Sequence, residues 1–355
     1  MKLLYIINSL GTGGAEKLIT DMLPLIKKKG IVIELLILNK VASIFINKIE
    51  ENNIKIHYSP HKLYSLKNIF FLRKFVRQYN IVHVHLFPAQ YWLALTFSKT
   101  PIIVTEHCTT NRRRKPVFKL LERFTYSQFD RIITISDKSD SAIKKWLGFP
   151  NVKFTIIENG INLETFYNAP KIVIKEVPLG TQKIIMVGRF NPTKDQPTAI
   201  KAMPFLPEKV HLLLVGEGNL KIDCENLAKE LNVHKRVHFL GLRNDVPALL
   251  KSCDINLISS HSEGLSISSL EALASGKPLV TSDVNGLREI NEGVGFSFED
   301  ANFQELAAKV NLLLNDKEKY DDVVRKSLNK VMEYDISLTV DKHLKVYDEI
   351  LKAQQ

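Results

Sequence analysis

Short runs of apolar and β-branched residues alternate with longer amphipathic segments along the chain. In the first half the runs fall at residues 3–8, 31–38, 54–58, 81–85, 102–105, 131–136 and 154–158. Helical periodicity fills the gaps at 15–28, 66–78, 117–127 and 137–147. Near-continuous apolar strands separated by helices predict a doubly wound parallel sheet. The stretch 163–182 holds two prolines and a glycine and reads as a linker. The pattern then restarts, with strands at 183–187, 211–215, 237–240, 255–258, 278–281 and 295–298. Helices at 198–202, 224–231, 246–251, 268–274 and 302–315 lie between them, and a last amphipathic helix covers 337–352. The expectation is an α/β chain of two facing Rossmann-like domains, 1–168 and 169–335, with a terminal helix in 336–355. Ligands of such sheets bind beyond the carboxyl ends of the strands. Facing domains would make an interdomain cleft, so residues that follow strands are the candidates.

The 355-residue length agrees with two domains. Composition is ordinary, with 45% hydrophobic and 25% charged residues, which excludes disordered and disulfide-scaffold classes. Charge changes the picture more. Residues 1–168 carry 25 Lys and Arg against 12 Asp and Glu, net +13, whereas the remainder carries 24 against 26, net −2. A basic front half and a near-neutral back half predict different partners. The three cysteines, Cys108, Cys224 and Cys253, fit neither a zinc ribbon nor a redox pair and suit a reducing cytosol. The N-terminal apolar run ends at Asn8-Ser9 and a Gly-rich turn, so it reads as a first strand rather than a signal peptide. No apolar run approaches the length of a membrane span.

The most informative segment follows the run 255–258 and contains Glu263-Gly264-Leu265-Ser266 and, eight residues after Glu263, Glu271. A helix beginning near Ser266 would offer its free N–H groups to an anion. Gly264 allows close backbone approach, and a carboxylate accepts from both hydroxyls of a vicinal diol. One segment thus offers two diol acceptors around a phosphate cradle. A second segment, Gly188-Arg189-Phe190-Asn191-Pro192-Thr193-Lys194, follows the first strand of the back half. Its Arg is a planar fork for phosphate oxygens and its Lys a point charge. A third, Gly11-Thr12-Gly13-Gly14-Ala15-Glu16, opens the first helix. Glu16 stands where a dinucleotide fingerprint needs its third glycine, which disfavours an NAD-dependent oxidoreductase. His83 and His85 share a strand face, and His107 follows a strand. No HxxxH or tight His/Asp cluster is visible, so no metal site is expected.

These residues resemble a family. Over essentially its whole length the chain is similar to the retaining glycosyltransferases of family 4, which have the GT-B architecture. The resemblance is carried by Glu263 and Glu271 within SEGLSISSLEALASGKPLV, by Gly188-Arg189 with Lys194, by Val215-Gly216-Glu217-Gly218, and by His238-Phe239-Leu240-Gly241. Gly13-Gly14, His107 and Asn159-Gly160-Ile161-Asn162 add to it, with Asn162 in place of the usual Asp. The resemblance implies that Glu271 accepts from ribose hydroxyls and Glu263 contacts the donor sugar. Arg189 and Lys194 would hold the diphosphate with N–H groups near Leu265 and Ser266, and stand in for a metal ion. Gly216 and Gly241 would lie beside the nucleotide, Gly14 beside phosphate or acceptor, and His107 beside the donor sugar. The terminal helix would cross back to the front domain. No cofactor is expected beyond the nucleotide-sugar donor.

The implied reaction passes a hexosyl unit to an acceptor hydroxyl, with a UDP-sugar favoured over GDP-mannose and a polyprenyl-linked glycan of surface polysaccharide synthesis as acceptor. The basic front half would bind that acceptor on the cytoplasmic face of the membrane. Lys27-Lys28-Lys29, Arg112-Arg113-Arg114-Lys115 and the aromatic, basic segment 66–78 suggest an anionic lipid surface. No nucleic-acid recognition module appears. An epimerase or phosphorylase on the same plan, or a sugar-nucleotide-binding subunit without turnover, are the alternatives. Glu263, Glu271, Arg189, Lys194 and His107 are all present, which argues against lost turnover.

Overall fold

The computed structural model describes residues 1–107, 114–150 and 153–354. Cys108, Arg112 and Arg113 of the sequence analysis lie outside the described residues. The chain forms two compact units, one of Met1–Gly160 with Ile336–Gln355, the other of Ile161–Asp335.

The first unit is built on a seven-stranded parallel sheet. Its strands are β1 (Lys2–Ile7), β2 (Val32–Ile37), β3 (Lys55–Tyr58), β4 (Ile81–His85), β5 (Ile102–Glu106), β6 (Arg131–Thr134) and β7 (Phe154–Ile156). Their order is β3-β2-β1-β4-β5-β6-β7, so the direction of winding reverses between β1 and β4. The apolar runs are strands because both faces are covered: Leu4, Ile6, Val82, Val84, Ile102 and Val104 are all buried. The N-terminal run is therefore an interior strand of the sheet. The helix Ile336–Lys352 packs on the helix Gly14–Lys28. Its buried Tyr347 reaches Tyr5 of β1, hydroxyl to hydroxyl at 2.5 Å.

The second unit holds a six-stranded parallel sheet of order β10-β9-β8-β11-β12-β13. The strands are β8 (Gln182–Val187), β9 (Val210–Val215), β10 (Val237–Gly241), β11 (Ile255–Ile258), β12 (Leu279–Ser282) and β13 (Phe296–Phe298). Here the reversal lies between β8 and β11. Ile184, Met186, Leu212, Leu214, Ile255 and Leu257 form the core with Ile200, Val310 and Phe298.

Two elements depart from the expected pattern. The segment read as linker begins with a helix, Leu163–Asn168, whose cap is Asn162: its side chain accepts from the Thr165 N–H at 3.3 Å. Leu163 and Phe166 are buried, and the helix packs on the helices Val246–Ser252 and Ile267–Ala274. It belongs to the second unit, and the chain divides at Gly160–Ile161 rather than at 168. The helix Lys317–Val331 carries a weak apolar pattern in the sequence: it buries only a narrow stripe, Val323, Ser327 and Val331, on an otherwise charged surface.

Candidate active site

In an open parallel sheet the crevice at the reversal point is the place for a ligand. In the second unit that point lies past β8 and β11, and Arg189, Lys194, Glu263 and the Glu271 helix all follow one of those two strands. Side-chain alternation sets the first loop. Phe190 is buried against Phe239, with ring centroids 5.9 Å apart, so its neighbour Arg189 is exposed. The backbone loops after β8, β9 and β10 are tied together. Gly188 N–H donates to Val215 O at 2.9 Å, Gly216 N–H to Gly241 O at 2.9 Å, and Phe190 N–H to Glu217 O at 3.1 Å. Gly216 adopts φ +141, and a Cβ there would lie 2.1 Å from Gly188 O, so only glycine permits this approach.

The loop after β8 is joined to the loop after β11. Ser259 Oγ donates to Asp195 O at 2.7 Å, and His261 N–H donates to Thr193 O at 2.9 Å. These bonds bring the two charged candidates together: Lys194 Nζ donates to Glu263 Oε1 at 2.5 Å, and Ser260 Oγ donates to the same oxygen at 2.7 Å. Behind them, Gly286 (φ +85) lets the chain after β12 cross the Glu263–Gly264 backbone. A Cβ at Gly286 would lie 2.1 Å from Gly264 O.

The helix Ile267–Ala274 starts directly after Ser266. Glu271 sits five residues past that cap and is 5% exposed. The first-turn N–H groups of any helix lack intrahelical acceptors. At this helix the hydroxyl of buried Ser266 adds a polar atom with no hydrogen-bond partner among the described residues. A lysine, a carboxylate and a helix N-terminus therefore lie at one sheet edge, with exposed Arg189 on the loop after β8, an arrangement suited to a diphosphate and neighbouring hydroxyls.

The fold also assembles a His/Asp group that no sequence spacing displays. His261 Nδ1 and Asp300 Oδ1 are 2.8 Å apart, and His261 Nε2 faces Asp195 Oδ2 at 3.7 Å. One ligand atom from each residue lies within 4.8 Å of the others. Burial raises the Asp195 carboxyl above its usual range.

The first unit has its own reversal point, past β1 and β4. Gly13 caps the helix Gly14–Lys28 in extended conformation, with Gly14 exposed. Asn8 links the two strand ends: its Nδ2 donates to Phe87 O and its Oδ1 accepts from Ala89 N–H at 3.0 Å. Beside them lies a group of buried imidazoles. His83 is satisfied on both nitrogens, by Tyr347 Oη and Thr105 Oγ1, each at 2.7 Å. His85 Nδ1 and His107 Nε2 are 3.0 Å apart. Burial, with the facing His343, pushes His107 down to about 4, and His83 and His85 fall well below the ordinary imidazole range. All are neutral at pH 7.

The basic clusters divide differently. Lys27 Nζ donates to the carbonyls of Asn52 and Asn53, and Lys29 pairs with Asp341 at 2.7 Å, so these two lysines are engaged internally. The segment 66–78 packs Leu72, Phe71 and Phe75 on the core and leaves Phe70 exposed. A larger exposed apolar surface lies on Pro116–Phe118 and the helix Lys119–Ser127, where Val117 is 79% and Leu120 81% exposed. Leu121, Phe118, Phe124 and the adjoining Phe97 are exposed too. Among the described residues, no helix is long and apolar enough to cross a membrane.

Comparison with known families agrees with both halves. Residues 12–165 match the family described as Glycosyltransferase Family 4, and residues 170–330 match Glycosyl transferases group 1. The chain belongs to the family 4 glycosyltransferases. This glycosyltransferase is 29% identical over 315 residues to the UDP-Gal:alpha-D-GlcNAc-diphosphoundecaprenol alpha-1,3-galactosyltransferase of Escherichia coli, covering 81% of this chain and 80% of that one. It is 29% identical over 226 residues to the N,N'-diacetylbacillosaminyl-diphospho-undecaprenol alpha-1,3-N-acetylgalactosaminyltransferase of Campylobacter jejuni. That match spans 61% of this chain and 60% of the relative's length. Its fold is that of the Anabaena protein HepE, crystallised with UDP-glucose, with a TM-score of 0.83, 20% identity and coverage of 99% and 100% of the two chains.

Proposed function

We propose that this glycosyltransferase moves a hexosyl unit, with retention of configuration, from a UDP-sugar to a hydroxyl of a polyprenyl-diphosphate-linked glycan in surface polysaccharide synthesis. The observation that carries the reading is the Lys194–Glu263 contact beside the Ser266 helix N-terminus. It provides a cation and backbone N–H groups for a diphosphate next to a carboxylate for sugar hydroxyls. In this reading Arg189, Lys194 and the N–H groups near Gly264, Leu265 and Ser266 hold the diphosphate. Glu271 accepts from the ribose, Glu263 from the hexose, and Gly216 and Gly241 line the nucleotide. His107 donates to a sugar hydroxyl, and Gly14 lies beside phosphate or acceptor.

Rate enhancement comes from positioning and from cations and N–H dipoles that take up charge on the departing diphosphate. No residue is assigned as a covalent nucleophile; the acceptor oxygen attacks from the face the diphosphate leaves. Arg189 and Lys194 serve where other transferases use a metal. The names of the two relatives support an undecaprenyl-diphosphate-linked acceptor, and that of the Escherichia coli enzyme supports a UDP-sugar donor. The apolar surface of Val117, Leu120 and Leu121, with Lys115 and Lys119 along the same segment, supports docking on an anionic membrane surface, the inner face of the cell membrane.

A thermal-shift panel of UDP, GDP, ADP and their sugars tests the donor. A ligand at 100 times its Kd stabilises by about 2.7 kcal/mol, and the UDP series should give the largest rise. Transfer to a synthetic polyprenyl-diphosphate sugar, measured with and without EDTA, tests acceptor and metal independence. Isomerised donor without acceptor would replace this reading by an epimerase, and loss of transfer in EDTA would replace the cation assignment.

A further inference from the structure

We propose that His85 is a positioning residue for His107: it fixes the His107 ring in the tautomer whose single proton is on Nδ1. His85 ends β4 and His107 follows β5, neighbouring parallel strands in which His85 pairs with Thr105. Their rings meet at His85 Nδ1 and His107 Nε2, 3.0 Å apart. One of these two nitrogens must carry the shared proton.

The surroundings of His85 decide which. His85 is 2% exposed, and its Nε2 is buried with no hydrogen-bond partner among the described residues. The nearest ring, His83, cannot serve it, because both His83 nitrogens are bonded to Tyr347 and Thr105. Tyr5 stacks on His85 at 5.4 Å between centroids and has its hydroxyl on Tyr347. If the His85 proton were on Nε2, a buried N–H donor would have no acceptor, a costly and rare arrangement. With the proton on Nδ1, His85 donates to His107 Nε2 and only a lone pair is left unmatched. Both rings are neutral at pH 7. A neutral His107 that accepts on Nε2 holds its proton on Nδ1. The titratable groups that face this pair are Tyr5 of β1, His83 of β4, and His343 and Tyr347 of the terminal helix.

The tautomer stands independently of function. Its consequence for transfer rests on the reading that His107 contacts the sugar: the ring then offers Nδ1–H, a donor, to a hydroxyl oxygen.

The test is two-bond ¹H–¹⁵N correlation on the full-length, ¹⁵N-histidine-labelled protein at pH 7.5, with His107 assigned from H107Q. The expected spectrum shows His107 protonated on Nδ1 and bare on Nε2. His85→Phe removes the donor and should convert His107 to a mixture of tautomers, while His85→Gln, whose amide can donate, should retain the Nδ1 form. Transfer by His85→Phe should fall in kcat by roughly tenfold or more, the scale seen when an orienting partner is lost, with donor KM little changed and His85→Gln partly rescued. A His107 protonated on Nε2 in the native protein, or a tautomer indifferent to His85→Phe, overturns the inference whatever the activity. His107→Ala with full transfer activity would instead overturn the sugar contact and leave the tautomer result intact.

Discussion

Lys194 Nζ and Glu263 Oε1 lie 2.5 Å apart, so the cation after β8 and the carboxylate after β11 meet at the reversal point of the second sheet. Both side chains are largely shielded from solvent, and Ser260 shares the same carboxylate oxygen. The pair holds both side chains in place, which in the proposed reading lowers the ordering needed to bind a diphosphate.

Removing either diphosphate cation should reduce kcat by ~10²–10³, or roughly 3–4 kcal/mol of transition-state stabilisation. Lys194→Ala also leaves Glu263 without its cation, so it should lose stability that Lys194→Ala combined with Glu263→Gln regains, with no return of activity. Steady-state transfer and thermal unfolding of the four proteins decide this. Wild-type turnover in both Arg189→Ala and Lys194→Ala would end the diphosphate assignment.

Gly286→Ala should disturb the site from behind. The position has φ +85, and the added Cβ would meet Gly264 O at 2.1 Å. The expected cost is about 1–3 kcal/mol of stability, together with weaker nucleotide-sugar binding as the Glu263–Gly264 backbone is displaced. Denaturation curves and calorimetric titration report the two effects; unchanged affinity would show that the loop is not part of the donor site.

Acidification should destabilise the first unit through its imidazoles. His83, His85, His107 and His343 are held neutral by burial, with His107 and His343 near 4 and the other two well below the usual range. In the unfolded chain each takes a proton near pH 6.5. The unfolded state therefore binds more protons as pH falls, and stability declines from about pH 6.5 down to about 4. His343→Phe should flatten the dependence of the urea midpoint on pH across that window. An equally steep slope in the variant would mean that His343 is not the neutral ring described.

Membrane docking should depend on the segment 117–124 more than on 66–78. Val117→Asp with Leu120→Asp alters two side chains that are about four-fifths exposed, so folding should be little affected. Co-sedimentation with anionic vesicles should be lost, while activity on a water-soluble acceptor persists. Undiminished sedimentation would remove this surface from the docking reading.

The central strands were legible because they are buried on both faces. Short, mostly apolar runs such as 81–85 and 210–215 suit strands of a parallel sheet covered on both faces. Glu263, Glu271, Arg189 and Lys194 are legible as candidates because they follow such runs within a recognisable motif. Asp195, Ser260, His261 and Gly286 were less so. Asp195 is a helix cap in left-handed conformation, Ser260 is one serine among many, and Gly286 is justified only by the backbone it crosses. The segments 66–78 and 117–127 both mix basic and apolar side chains, and only packing tells them apart: the first covers Phe71, Leu72 and Phe75, the second leaves Val117, Leu120 and Leu121 exposed.

By itself the sequence determined what depends on local order: the alternation of strands and helices, the two-domain count, the glycines at the strand ends and the family. The tertiary structure decided what depends on residues distant in the chain. Lys194 reaches Glu263 across 69 positions, and His85 reaches His107 across 22. The terminal helix places Tyr347 on Tyr5 across 342. Hydrophobic periodicity reports which side of an element is buried, not what it is buried against. Pairings, tautomers and exposed faces are therefore set by sheet order and packing.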